Sequence, residues 1–129
     1  MTLKGEFELE SWNEQPFVEA DGEKLTHASV TQQFRGDVVG QGLVEWLMCY
    51  RPDGTARFVG LQRVEGTVDG RAGSIVLQSI GDFDGTTAAG EWTVVEGSGT
   101  GELKGVSGTG HFAAPHGPKA TFDLELSFS

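Results

Sequence analysis

The sequence is poor in cysteine and has no long apolar run. Its one cysteine, Cys49, has no partner for an intramolecular disulfide, which fits a reducing compartment. No stretch is long and apolar enough for a transmembrane helix, and residues 1–10 carry three glutamates where a secretory signal would be apolar. These absences predict a soluble, cytoplasmic protein with no membrane partner.

Basic residues are scarce as well. Nine Lys and Arg stand against 19 Asp and Glu, so the net charge is −10, and the basic residues are scattered singly. Nucleic acid is therefore not expected as a partner. His27, His111 and His116 lack the spacing of metal ligands, and Cys49 has no ligand near it in sequence. We expect neither a metal site nor a cofactor.

Glycine, in contrast, is abundant, with 20 residues against four prolines and no Gly-X-Y period. Glycines spread among Val, Thr, Phe and Trp favour tight turns and curved strands. A chain of 129 residues is large enough for a buried core, so we expect one domain, 1–129. No segment has the period of a helix, and eight strands are predicted, at residues 3–12, 25–35, 38–50, 55–66, 73–82, 87–95, 107–114 and 120–128.

The segments between these strands are predicted as turns and loops. Residues 13–24 form a long loop, and 116–118 turn into the last strand. Residues 97–101 form a glycine-rich β connection. Eight short antiparallel strands indicate an all-β barrel or sandwich. The half-apolar last strand is expected to pair with the first and close a barrel.

Three turns fix the register of the middle strands. Pro52-Asp53-Gly54 predicts a bulged hairpin with residues 46 and 60 opposite each other. An Asp69-Gly70 turn sets 62 opposite 77, and a two-residue Asp84-Gly85 turn would set 79 opposite 90. One continuous face then carries large and small residues in alternation, as the interior of a small barrel requires: Val44, Trp46, Met48, Tyr50, Phe58, Gly60, Gln62, Val64, Ile75, Leu77, Ser79, Gly90, Trp92 and Val94.

The opposite face of the same strands carries an apolar band on neighbouring strands. Exposed apolar bands often mark protein interfaces. We therefore expect a homo-oligomer, most simply a two-fold dimer, that packs through Leu43, Leu47, Val59, Leu61, Val76 and Ile80.

Several motifs together resemble a bacterial domain family of unknown function whose barrel is similar to that of allene oxide cyclase. They are Met48-x-Tyr50-Arg51-Pro52-Asp53-Gly54-Thr55-Ala56, residues 58–61, residues 73–78, and Trp92-Thr93-Val94-Val95 with residues 97–103. The resemblance implies an eight-stranded antiparallel barrel. Related barrels, such as allene oxide cyclases and dirigent proteins, hold a reactive apolar molecule and steer its ring closure or coupling. None of their catalytic motifs matches residues of this sequence.

The inner face is also the candidate binding site, because it combines an apolar wall with a few polar groups. The predicted ligand-binding residues are Trp46, Met48, Tyr50, Phe58, Gln62, Leu77, Ser79 and Trp92. Three interpretations remain open. The first is a barrel that binds a small hydrophobic molecule. The second is a cofactor-free cyclase or isomerase in which Tyr50 is catalytic and polarises the substrate. The third is a packed structural barrel without a ligand, in which the polar groups bond one another.

Overall fold

The computed structural model describes residues 1–116 and 119–129, apart from the side chain of His116. In that part of the chain, eight antiparallel strands form a closed barrel in chain order. The strands are β1 (Thr2–Ala20), β2 (Glu23–Gly36), β3 (Val38–Tyr50), β4 (Ala56–Val68), β5 (Arg71–Phe83), β6 (Ala88–Val94), β7 (Val106–His116) and β8 (Lys119–Phe128). The predicted all-β, eight-stranded antiparallel barrel is confirmed. The predicted turn into the last strand falls on Gly117 and Pro118, which lie outside the described residues.

The turns set the register of β3, β4 and β5 as predicted. Gly54 has a φ of 89° and closes the β3–β4 hairpin, so that Trp46 lies opposite Gly60. Asp69 and Gly70 have φ values of 50° and 77°, the conformation of a type I′ turn. This turn sets Gln62 opposite Leu77.

The register predicted for β5 and β6 is wrong by two residues. Ser79 pairs with Trp92, and Gly81 pairs with Gly90. The physical reason is the Asp84 carboxylate, which accepts hydrogen bonds from the backbone N–H groups of residues 86 and 87 at 2.9 and 2.8 Å. These bonds make residues 84–87 a four-residue loop. A shift of two leaves every side chain on its predicted face.

The predicted loop at residues 13–24 is also wrong, because β1 continues to Ala20 and meets β2 through a second Asp-Gly turn. Asp21 and Gly22 have φ values of 54° and 82°, again as in a type I′ turn. Two irregularities in the β1–β2 pairing, at Glu10 and Phe17, interrupt the alternation of the strand. Bulges of this kind hide a strand from a search for period-two patterns.

The first half of β1 closes the barrel against β8, with residues 2–8 paired to residues 119–125. The second half of β1 pairs with β2 alone within the described residues. Together with the start of β2 it forms a hairpin arm, residues 10–24, at one end of the barrel. The β3–β4 turn and the β5–β6 loop lie at the same end.

The opposite end is closed by the connection between β6 and β7. Within the predicted glycine-rich connection, a short 3-10 helix (Gly101–Leu103) places Leu103, which is fully buried, in the core. The Thr100 N–H donates to the Ser74 carbonyl oxygen at 2.9 Å. A Cβ on Gly73 would lie 2.1 Å from the Thr100 carbonyl oxygen, so only glycine allows this close approach.

The predicted outer band lies on the surface. Leu43, Leu47, Val59, Leu61 and Ile80 are between 40% and 55% exposed. Val76 is half-buried because the chain after β6 runs beside it, with the Val95 N–H bonded to the Val76 carbonyl oxygen at 2.9 Å. That a second copy of the chain covers this band stays a prediction.

Charges placed on the band test that prediction. If two copies pack through it, the double variant Leu47→Glu with Leu61→Glu is expected to be monomeric, since like charges would be buried against apolar surface. Light scattering after gel filtration measures the mass. Thr109→Glu with Thr121→Glu, at exposed positions on β7 and β8, is the matched control and should leave the mass unchanged. A parent chain that is already monomeric would refute the predicted dimer.

Candidate functional site

An apolar cavity of about 300 Å³ lies inside the barrel at the end that carries the hairpin arm. Its walls are mostly aromatic and come from strands all around the barrel. They include Phe7, Trp12, Trp46, Phe58, Phe83 and Phe112, with Met48 and Leu9 between them. Its volume is at the lower end of the range for small-molecule sites.

The cavity exists because the inner face carries small residues at this end. Ala56, Ala88 and Ala114 line it, and Ala88 lies directly opposite Ala114 on the neighbouring strand. Below this level the barrel is filled by aromatic rings. Trp92, only 1% exposed, packs against the rings of Phe112 and Phe7, with ring centroids 5.1 and 5.8 Å apart. The barrel is therefore hollow near the end that carries the hairpin arm, which we call its upper part. It is packed with side chains below the cavity, in its lower part.

A polar cluster stands at the mouth of the cavity, centred on the carboxylate of Glu14 in the hairpin arm. One carboxylate oxygen accepts hydrogen bonds from the Thr26 hydroxyl at 2.6 Å and from the Tyr50 hydroxyl at 2.5 Å. The other accepts from the Trp12 indole N–H at 3.0 Å. Lys24 places its ammonium group 5.2 Å from the centre of the Tyr50 ring. The cluster joins the arm to β3 across the mouth.

These contacts shift two pKa values in opposite directions. Burial raises the pKa of the Glu14 carboxyl, but the hydrogen bonds from Thr26, Tyr50 and Trp12, with the charge of Lys24, lower it by more, so the net shift is downward. For Tyr50, burial is the largest cause of the shift, and the hydrogen bond to Glu14 and its charge add to it. Together they raise the pKa to about 12. At neutral pH Glu14 is ionised and Tyr50 keeps its proton.

The titration of Tyr50 is directly measurable, because Tyr50 is the only tyrosine of the chain. We expect the phenolate absorbance to rise with a midpoint near pH 12 rather than at the ordinary value of 10. Because folding raises this pKa, the protonated Tyr50 contributes to the free energy of unfolding. That contribution is fully present below pH 10 and is lost as the pH rises toward 12. Glu14→Gln should move the midpoint back toward 10. A parent midpoint near 10, with circular dichroism still native, would contradict the geometry of the cluster.

Four of the eight predicted binding residues line the cavity, namely Trp46, Met48, Tyr50 and Phe58. The other four, Gln62, Leu77, Ser79 and Trp92, are almost completely buried below it and are not among its lining residues. Gln62 and Ser79 are therefore separate from the cavity that Tyr50 lines. Whether any of the eight contacts a ligand stays a prediction.

The buried polar groups have partners of their own in the core. The Gln62 amide donates to the side-chain oxygen of Gln32, and the Trp46 indole N–H donates to the Ser79 hydroxyl at 3.4 Å. Gln32 Nε2, Gln62 Oε1 and Trp92 Nε1 have no hydrogen-bond partner among the described residues. The polar groups of the predicted site thus do not bond one another, since Gln62 bonds Gln32, Ser79 bonds Trp46 and Tyr50 bonds Glu14.

Sequence reasoning missed the groups of the hairpin arm, Trp12 and Glu14. The bulge at Glu10 exchanges the two faces of β1, so that even-numbered residues after it point inward, whereas Phe7 and Leu9 point inward before it. One signal was available, since Asp21-Gly22 is the same dipeptide as the Asp69-Gly70 turn. A two-residue turn there predicts a hairpin in place of a loop.

The described residues contain neither a cluster of metal ligands nor a membrane-spanning helix. Across 1–116 and 119–129, no three His, Cys, Asp or Glu side chains are grouped so that they could hold a metal ion. Within the same ranges, no helix has the length and apolar character needed to cross a membrane.

Similarity to known proteins extends over nearly the whole chain. Residues 3–126 match the family described as "Protein of unknown function (DUF3224)". A crystal structure at 1.84 Å resolution of a protein with unknown function from that family, from Shewanella oneidensis MR-1, is 25% identical in sequence. It superposes with a TM-score of 0.79 over 100% of this chain and 98% of the other. No curated protein matches the sequence.

Proposed function

The chain belongs to the DUF3224 family, and we propose that it binds a small apolar or aromatic molecule in the upper part of its barrel. The observation that carries this proposal is the cavity of about 300 Å³ between aromatic walls. The likeness to allene oxide cyclases, the cytoplasmic location and the homo-oligomer stay predictions.

The contrast between the two halves of the barrel supports binding over a purely structural role. Below the cavity, large side chains such as Trp92 are fully buried and in contact with one another, as in a protein core. In the cavity, three alanines stand where larger apolar residues would fill the space. An apolar void costs stability, because its walls lose packing contacts and gain nothing in exchange. A bound molecule would restore those contacts.

The shape of the mouth supports the same function. Trp12, which is 45% exposed, packs against Trp46 with ring centroids 5.9 Å apart and the rings tilted by 49°, and it forms part of the rim. The second half of β1, which carries Trp12, pairs with β2 alone within the described residues, so backbone pairing holds it along one edge. Such a hairpin admits a ligand by a small movement and leaves the closed part of the barrel unchanged.

The cyclase or isomerase alternative has weaker support. Tyr50 lines the cavity, as a polarising group must. Its hydroxyl, however, already donates to the Glu14 carboxylate, with the two oxygens 2.5 Å apart. Glu14 itself accepts three hydrogen bonds and has a lowered pKa, which makes it a weak base. If the protein is an enzyme, Tyr50→Phe should abolish turnover and leave ligand affinity nearly intact. Unchanged turnover in that variant would exclude a catalytic role for Tyr50.

Binding is tested by titrating the protein with N-phenyl-1-naphthylamine, a neutral apolar dye that fluoresces strongly in apolar sites. We expect a saturable rise in dye emission and a higher melting temperature, since a ligand that binds only the native state stabilises it. Apolar metabolites can then be screened by displacement of the dye. If the dye neither saturates nor raises the melting temperature, and no apolar metabolite raises the melting temperature in a thermal-shift screen, the proposal is refuted.

A further inference from the structure

The polar cluster at the mouth has its hydrogen-bond donors already in use. Thr26 and Tyr50 each have one hydroxyl proton, and the Trp12 indole has one N–H. All three are directed at the Glu14 carboxylate, at 2.6, 2.5 and 3.0 Å. The Tyr50 hydroxyl also lies 3.9 Å from the Met48 sulfur, but the shorter bond to an ionised group takes its proton.

What this leaves for an incoming molecule is a set of acceptors. The Tyr50 oxygen keeps lone pairs beside the cavity that it lines, and the Glu14 carboxylate, which is outside the lining, holds its negative charge 2.5 Å from that oxygen. A ligand whose polar end is a carboxylate would bring acceptors and a second negative charge to this place. A ligand whose polar end carries O–H or N–H would find partners.

Two other donors lie near the mouth, but they do not change the conclusion that the mouth offers mainly hydrogen-bond acceptors. Thr86 lines the cavity, and its hydroxyl acts either as donor or as acceptor. Lys24 is exposed, has its ammonium group 5.2 Å from the centre of the Tyr50 ring, and has the charge of Glu14 as its nearby counterpart. The net charge of the chain, −10, also disfavours an anionic ligand.

We propose that the cavity binds an apolar molecule whose single polar end donates a hydrogen bond, a hydroxyl or a protonated amine, and that it rejects a carboxylate end. This inference rests on the proposed function, since it names the chemical class of the ligand for the same cavity. Glu14 acts as the selecting group, with Tyr50 as the acceptor nearest the apolar walls.

Four compounds with one ring system test the inference by isothermal titration calorimetry at neutral pH. They are 1-ethylnaphthalene, 2-(1-naphthyl)ethanol, 2-(1-naphthyl)ethylamine and 1-naphthylacetate. We expect the alcohol and the amine to bind about tenfold more tightly than the acetate, a difference of about 1.4 kcal/mol. Repeating the titrations at high salt screens the long-range effect of the net charge and leaves the local preference.

Glu14→Gln is the informative variant, because its amide brings a donor to the mouth and removes the charge. It should bind the acetate more tightly and the amine more weakly, so that the preference falls to about threefold or less. Glu96→Gln removes one charge from an exposed position in the connection between β6 and β7, at the closed end, and should keep the preference of the parent. The Tyr50 titration checks that Glu14→Gln has removed the negative charge beside the phenol.

The outcomes separate this inference from the proposed function. If 1-ethylnaphthalene binds but the three polar compounds bind equally, the cavity is a ligand site and the inference is wrong. An acetate that binds most tightly, and loses that advantage in Lys24→Met, would overturn it in favour of an anion site. If none of the four compounds binds, the proposed function falls, and this inference falls with it.

Discussion

Replacing Trp92 with alanine is expected to lower the free energy of unfolding by about 3–5 kcal/mol, a large part of the stability of an ordinary domain. Trp92 is 1% exposed and packs against four phenylalanine rings, those of Phe7, Phe34, Phe112 and Phe122, with centroids 5.1 to 6.3 Å away. Truncation removes the indole from the middle of this cluster. Because the rings come from different strands of a closed barrel, they cannot move together to fill the space.

Trp12→Ala is the matched control, since it is the same substitution at a residue that is 45% exposed. Its cost should be about 1 kcal/mol, well below that of Trp92→Ala, because nearly half of the Trp12 side chain already faces water. Urea unfolding followed by circular dichroism measures both variants without relying on the emission of the tryptophan that was removed. Equal losses in the two variants would mean that Trp92 does not hold the lower core together.

The faces of the middle strands were predictable because turn chemistry is local. Pro52, Asp53 and Gly54 specify one hairpin, and Asp69 with Gly70 specify the next. Once two turns are known, the period of two assigns every side chain between them to a face. The loop after β5 has the same Asp-Gly dipeptide and a different geometry, because Asp84 bonds the backbone at Thr86 and Thr87. That difference changed the pairing and left the faces intact.

The hairpin arm was not predictable in the same way. A bulge adds one residue to a strand, and the sequence around Glu10 and Phe17 gives no sign of where the extra residue falls. Each bulge exchanges the faces of the residues that follow. The positions of Trp12 and Glu14 over the cavity depend on this exchange, so the mouth of the site appears only in the structure.

Whether the barrel is hollow was a question of volume, which the alternation of faces does not decide. Trp46 and Phe58 were correctly assigned to the interior and line the cavity, whereas Leu77 was assigned to the same face and lies in the packed layer. The height along the barrel separates them, and height depends on strand tilt and stagger. The β3 and β4 part of the cavity wall was thus predicted from sequence, whereas the rest of the wall and the boundary between packed and hollow were not.

Filling the hollow part should abolish binding without damaging the barrel. Ala88 lines the cavity and lies opposite Phe83 on one side and Ala114 on the other. In Ala88→Trp the indole is expected to project into the void and occupy the space of a ligand. Affinity for N-phenyl-1-naphthylamine should fall by about tenfold or more, while the melting temperature stays the same or rises, because cavity filling restores packing contacts.

Ala89→Trp is the control on the same strand, because Ala89 is exposed on the outer face. Its indole points away from the cavity, so the dye should bind as it does to the parent. Retained binding in Ala88→Trp would place the dye elsewhere, most simply on the outer band of Leu47 and Leu61. Loss of binding together with a much lower melting temperature would mean that the upper barrel cannot accept the ring. The smaller variant Ala88→Leu then decides between blockage and misfolding, because graded loss of affinity at unchanged stability is expected only if the cavity is the binding site.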